Sequence, residues 1–174
     1  MKRLLVVVDM QNDFVTGALG TGEAQAILTQ VREKIVRALE AGDTLVFTQD
    51  THGPDYLDTQ EGKNLPVPHC LRGSEGWELV PELRQLSQGC RIFEKPAFGS
   101  LELAAFAAGE GFDQVELVGV CTDVCVISNA LLLKAALPQA LVRVDPACCA
   151  GVTPDSHRTA RAAMAACQVA IEEN

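Results

Sequence analysis

The chain has 174 residues, 48% of them hydrophobic, which suits one globular domain spanning 1–174 with a full sheet in its core. Its 14 basic and 23 acidic residues give a net charge of −9 with no basic cluster, which excludes nucleic acid and anionic membrane as expected partners and points to a small molecule. Seven cysteines without repeated spacing argue against a secreted disulfide framework and for a reducing, cytoplasmic setting.

The apolar run at residues 4–8 follows Lys2 and Arg3 but stops at Asp9, too short for a signal peptide, and its β-branched and leucine content reads as a strand covered on both faces. Met10 to Phe14 is polar and turn-rich, and Gly17, Gly20 and Gly22 extend it as a loop. A helix is predicted over 24–40, with Ile27, Val31, Ile35 and Leu39 on one face and Gly42 at its C-cap. Residues 44–48 form a second strand that delivers Gln49-Asp50-Thr51-His52 at its end. From 53 to 76 no periodicity is visible, and a loop of that length in a compact domain is usually functional.

A helix is expected near 78–86 and a third strand over 91–94 that ends at Lys95-Pro96. A short helix at 101–108 leads to a fourth strand at 114–118. Residues 126–137 carry no charge until Lys134 and read as an enclosed helix. A fifth strand over 140–144 ends in Asp145-Pro146, the last helix runs from Pro154 to Cys167, and 168–171 close the chain as a strand. Alternation of this kind implies an α/β fold with a mostly parallel sheet between two helical layers. No apolar stretch reaches transmembrane length.

In such sheets ligands bind beyond the carboxyl ends of the strands, where the strand order reverses. Asp9, Asp50 and Lys95 end the first three strands and Cys125 follows the fourth, so one rim can hold all four. Each has an ordinary reading too: a turn cap, a solvated lysine, a small buried thiol. As a set they make an acyl-transfer site. Cys125 at a helix start is the nucleophile, Asp9 its general base, and Lys95 a cation that lowers the thiol pKa and stabilises a reacting carbonyl oxygen. Backbone N–H groups between Val120 and Cys125 are candidates for an oxyanion hole. Asp50 and His52, with His69 from the long loop, could hold zinc, iron or manganese, although loop histidines without a metal read equally well; His157 reads as helix surface.

Three segments, Val7-Val8-Asp9-Met10-Gln11-Asn12-Asp13-Phe14, Phe93-Glu94-Lys95-Pro96-Ala97-Phe98 and Gly119-Val120-Cys121-Thr122-Asp123-Val124-Cys125-Val126, together resemble the isochorismatase-like cysteine hydrolases. The resemblance implies a three-layer α/β/α sandwich with a six-stranded, mostly parallel sheet, an Asp9-Lys95-Cys125 triad, and a cis peptide between Val120 and Cys121 that turns the Cys121 and Cys125 amides into the oxyanion hole. It also implies a homo-oligomer. True isochorismatases in this family lack the nucleophilic cysteine, so Cys125 favours an amide hydrolase acting through a thioester. Nicotinamidases add a metal, and Asp50, His52 and His69 match their pattern, with Phe14 and Phe98 as substrate contacts and no organic cofactor. Pro66 stands where nicotinamidases commonly place a stacking aromatic, which leaves room for another amide.

The leading expectation is therefore a nicotinamidase-like, metal-assisted cysteine amidohydrolase that releases ammonia from a small carboxamide. A metal-free relative acting on a ureido, carbamoyl or maleamate-type amide is the alternative. A redox or small-molecule sensor using Cys121 and Cys125 is the reading from outside the hydrolases.

Overall fold

The computed structural model describes residues 1–172; the last two residues of the expected 1–174 domain lie outside the described residues. β1 (Arg3–Val8) is buried from its second residue onward, as a run of leucine and valine without a charge requires. It lies at the centre of a six-stranded sheet with β2 (Thr44–Asp50), β3 (Arg91–Lys95), β4 (Gln114–Val120), β5 (Leu141–Ala150) and β6 (Ala170–Ile171), in the order β3-β2-β1-β4-β5-β6. All five pairings are parallel.

Side-chain alternation along β1 divides the core into two layers. Leu5 and Val7 join Phe47 and Val118 beneath Val31, Ile35 and Ala38 of α3 (Leu28–Glu40). Leu4, Val6 and Val8 point the other way, to Leu103 of α6 (Leu101–Glu110), Ala130 and Leu133 of α7 (Ile127–Ala136) and Met164 of α8 (Pro154–Ala166). The result is the expected α/β/α sandwich. The connections run outward from β1 to β2 and β3 and then return to β4 on the other side, so the order reverses between β1 and β4.

Several boundaries differ from the sequence reading, each for a local reason. The 10–22 stretch holds a short helix, α1 (Asn12–Val15), with Phe14 and Val15 buried. The 24–40 helix divides at Ile27 into α2 (Gly22–Ala26), capped by the Thr21 hydroxyl, and α3. Leu39, expected on the buried face, is 44% exposed; Gly42, at φ 72°, follows the α3 terminus in the left-handed conformation a glycine adopts without penalty. The long loop contains a 3₁₀ turn (Tyr56–Asp58) and α4 (Gln60–Asn64), whose N-cap is Thr59. The 78–86 helix shrinks to α5 (Pro81–Arg84). β5 continues past Pro146 to Ala150 across a register shift opposite Leu117 and Gly119.

Candidate active site

The rim between β1 and β4 gathers the residues singled out from sequence. Asp9 leaves β1 with φ 48°, a left-handed conformation that aspartate tolerates, and its carboxylate is wholly buried. Its Oδ1 accepts from the Thr48 hydroxyl at 2.6 Å, and its backbone N–H donates to the same hydroxyl oxygen at 3.2 Å. Lys95, at the end of β3, is 1% exposed and carries its Nζ 2.7 Å from Asp9 Oδ2, 3.1 Å from Asp50 Oδ1 and 3.4 Å from Cys125 Sγ. The 2.7 Å approach to Asp9 Oδ2 is an ion pair without the angles of a formed hydrogen bond, so this oxygen keeps acceptor capacity beside the thiol.

Cys125 sits within a single π-helical turn (Thr122–Val126) that runs directly into α7. The Val120–Cys121 peptide before it is cis, and Cys121 O accepts from the N–H groups of Val124 and Val126 at 3.1 and 3.0 Å. Gly119, at φ 115°, passes so close to Val8 that any Cβ would strike the Val8 carbonyl. Asn129, one turn later, donates to the carbonyls of Cys125 and Phe98 and accepts from Ser100 N–H, tying the Cys125 turn to the loop after β3.

Burial pushes the Cys125 thiol well above its ordinary value, with Asp9 adding to the effect and Lys95 opposing it. Burial also raises Asp9 above the usual carboxylate range against the pull of Lys95, which makes it a stronger proton acceptor. Burial disfavours the Lys95 ammonium, yet the carboxylates of Asp9 and Asp50 outweigh it and hold the charge. Cys121, partly exposed at the same site, is pushed up to about 12 by burial and Asp123.

A second group adjoins the first through Asp50. His52 Nε2 lies 2.9 Å and His69 Nε2 3.4 Å from Asp50 Oδ2, and Glu61 Oε1 stands 3.6 and 3.7 Å from the two imidazoles. One ligand atom from each of the four falls within 4.8 Å of the others. His69 Nδ1 donates to Val67 O at 2.8 Å, which leaves the Nε2 lone pair facing the cluster when the ring is neutral. The donor set of two imidazoles and two carboxylates fits a borderline divalent cation. Burial opposes ionisation of Asp50, but the hydrogen bond from His52, one from His69 when its ring is protonated, and the charge of Lys95 hold its carboxyl well below the usual range.

Both groups open into a cavity of ≈ 220 Å³. Its walls are Phe14, Leu19, Leu65, Phe98, Val124 and Val152, and Cys125, Asp50, Glu61 and His69 line its inner end. Phe14 packs edge-on to His69 at 5.5 Å, and Phe98 is 44% exposed.

Sequence reasoning missed four contributors. Glu61 lay in the stretch without periodicity, and the signal for it was Thr59, whose hydroxyl accepts from Gly62 N–H and so starts the helix that carries Glu61. Thr48 was read only as strand. Gln11 clamps the backbone of Asp50, donating to its carbonyl at 2.9 Å and accepting from its N–H at 2.8 Å. Asp13 accepts from Cys70 N–H at 2.8 Å, beside His69. His157 also differs from expectation: it is half-buried, with Nδ1 2.8 Å from the hydroxyl of Thr122, which is itself wholly buried.

A parallel α/β/α sheet with a buried ionic cluster and a cavity at its reversal point belongs to the doubly wound α/β domains that bind ligands there. The isochorismatase domain model matches residues 3–173, and the chain belongs to that family. It is 31% identical over 149 residues to an uncharacterized isochorismatase family protein of Bacillus subtilis, covering 75% of this chain and 78% of that protein. It is 28% identical over 171 residues to a nicotinamidase of Acinetobacter baylyi, covering 81% and 78%. Among solved structures, the pyrazinamidase of Pyrococcus horikoshii in complex with zinc superposes with a TM-score of 0.86 at 29% identity over the full length of both chains.

Proposed function

We propose that this protein is a cysteine amidohydrolase that converts a small carboxamide to its acid and ammonia through a thioester on Cys125, with Asp9 and Lys95 completing the catalytic group. The observation that carries this reading is the position of Lys95 Nζ, 2.7 Å from Asp9 Oδ2 and 3.4 Å from Cys125 Sγ, with all three side chains buried.

The resting pair is a thiol and a carboxylate. As Sγ attacks the amide carbon, its proton passes to Asp9 Oδ2, and the positive charge of Lys95 offsets the negative charge that develops. The tetrahedral oxygen is received by the backbone N–H groups of Cys121 and Cys125 on the turn after the cis peptide. Asp9 then returns the proton to the departing nitrogen, the C–N bond breaks and ammonia leaves. In the second half, Asp9 takes a proton from water as its oxygen adds to the thioester carbon, and the C–S bond breaks to release the acid and restore the thiol. A raised carboxyl pKa suits a group that both accepts and returns a proton.

Asp50, His52, His69 and Glu61 would hold a divalent metal, zinc or alternatively iron or manganese. When bound, such an ion supplies positive charge and Lewis acidity at the inner end of the cavity. Phe14 and Phe98 contact the body of the substrate. A homo-oligomer in the cytoplasm is the expected setting; among the described residues no helix is long and apolar enough to cross a membrane.

The test is ammonia release by the purified protein over nicotinamide, pyrazinamide, maleamate and ureido acids, with Cys125→Ala as the blank. Release from at least one amide that disappears in the blank supports the reading. Release that survives Cys125→Ala overturns it.

A further inference from the structure

The walls of the ≈ 220 Å³ cavity carry a charge pattern that bears on what can enter it. Among the described residues no lysine or arginine lines it; the carboxylates that do are Asp50 and Glu61, with the His69 imidazole beside them. The nearest buried cation, Lys95, is already paired with Asp9 at 2.7 Å and Asp50 at 3.1 Å. With a divalent metal on the four-residue cluster, the two carboxylates offset its two positive charges, so the cavity offers no spare positive charge in either state. The rest of the lining is mostly hydrocarbon, with Thr21 and Cys121 as exceptions. Leu19, Leu65, Val124 and Val152 are aliphatic, and Phe14 is the one buried phenyl ring among them, since Phe98 is 44% exposed.

Resting on the amidohydrolase reading above, we propose that the substrate is an uncharged carboxamide with a compact hydrocarbon body, flat or saturated, and that amides bearing a carboxylate are rejected. A carboxylate entering this cavity loses its water and finds no counter-ion, which costs several kcal/mol in an apolar site. A flat slot needs two facing planes, and branched aliphatic walls opposite Phe14 fit a rounded body as readily as a ring. The volume lies below the range of about 300–1,000 Å³ that drug-sized ligands occupy, which keeps the body small. The acid product is itself an anion, so turnover converts a fitting ligand into one the cavity disfavours.

The test uses a matched pair of amides, succinamate and 4-methylpentanamide, which differ in an end carboxylate against an isopropyl group, together with cyclohexanecarboxamide and benzamide. Ammonia release is expected from the three neutral amides, with kcat/KM for succinamate lower than for 4-methylpentanamide by at least about 100-fold. Leu65→Arg, at a wall position 37% exposed, is expected to raise the succinamate to 4-methylpentanamide ratio at least about tenfold by supplying the missing cation. A second measurement reads charge selection without hydrolysis: alkylation of Cys125 by neutral iodoacetamide and anionic iodoacetate, followed by peptide mass spectrometry and normalised to the same reagents on glutathione. The normalised preference for iodoacetamide is expected to exceed about tenfold.

Succinamate turned over as well as its neutral partner, or equal normalised alkylation, overturns the charge selection while leaving the amidohydrolase reading intact. Benzamide accepted with cyclohexanecarboxamide refused overturns the rounded cavity. Selective alkylation with no ammonia from any amide overturns the amidohydrolase reading, and the substrate assignment with it.

Discussion

Two lysines in this molecule sit among carboxylates, and they have different consequences. Lys34 of α3 reaches Glu116 at 2.6 Å, Asp145 at 2.7 Å and Glu172 at 3.4 Å, and Arg143 joins Glu116 at 2.7 Å. Lys95 reaches Asp9, Asp50 and the Cys125 sulfur. The Lys34 cluster borders the larger cavity, ≈ 320 Å³ against ≈ 220 Å³. Cavity size and charge density therefore do not separate a reactive site from a structural one. What separates them is burial and place: Asp9 and Lys95 are wholly enclosed, next to a thiol on a turn at the sheet reversal. The Lys34 cluster is partly exposed and away from that turn, and the neighbouring Cys148 faces Asp145, which helps burial hold its thiol up at about 12.

Replacing each lysine by methionine sharpens that contrast most. Lys95→Met leaves two buried carboxylates without their cation, and the expected cost is about 3–5 kcal/mol of stability together with loss of ammonia release. Cys125→Ala is expected to abolish release, a drop of at least about 10³-fold, while the protein still melts cooperatively. Lys34→Met lowers the melting temperature, yet kcat per folded molecule should be unchanged. Calorimetry paired with initial rates on the same samples checks all three, and a Lys34→Met enzyme as inactive as Lys95→Met would erase the distinction.

Acid provides the next separation. Burial raises the Asp145 carboxyl, but the hydrogen bond and charge of Lys34 more than offset this, so its folded pKa lies below its unfolded value near 3.8. Stability from this group is fully present above about pH 4 and is lost as pH falls through the folded pKa. Urea midpoints should stay level on this account from pH 7 to 5 and fall below pH 4. Asp145→Asn should be less stable at pH 7 and should lose less between pH 5 and 3 than the parent protein. An identical acid slope in the two proteins would sink the assignment.

The smallest effect is expected at His157. Burial and Arg161 hold its imidazole below its ordinary pKa, so it faces the Thr122 hydroxyl as a neutral ring. His157→Ala leaves that buried hydroxyl without its partner, for about 1–3 kcal/mol of stability. Because Thr122 lies between the cis peptide and Cys125, kcat is expected to fall several-fold with KM little changed. Thr122→Val in the His157→Ala background should recover most of the stability, since removing both partners leaves no orphaned hydroxyl. A parallel rise in KM would place His157 in substrate contact instead.

The strand sequence was legible because a parallel sheet covered on both faces needs near-continuous apolar runs, and Leu4 to Val8, and Val115 to Val118 interrupted only by Glu116, have no other good use. The strand ends were legible for the same reason: Asp9, Asp50 and Lys95 interrupt those runs where burial should have continued. Glu61 was hidden by its short helix, too brief for periodicity. His157 was hidden because one face of α8 is exposed and the packing of its first turn against the nucleophile turn leaves no local pattern. The division of the 24–40 helix at Ile27 was likewise invisible, since its apolar spacing continues across the break.

By itself the sequence determined the α/β alternation, the placing of Asp9, Asp50, Lys95 and Cys125 at strand ends, and the family resemblance, because each is written in local runs and their punctuation. The tertiary structure alone decided that Lys95 lies between two carboxylates and a thiol, and that among the described residues no lysine or arginine lines the cavity beside it. Those properties depend on distance and burial across segments 30 and 45 residues apart in the chain, as in the pairs Lys95 with Cys125 and Lys95 with Asp50, and no local pattern encodes them.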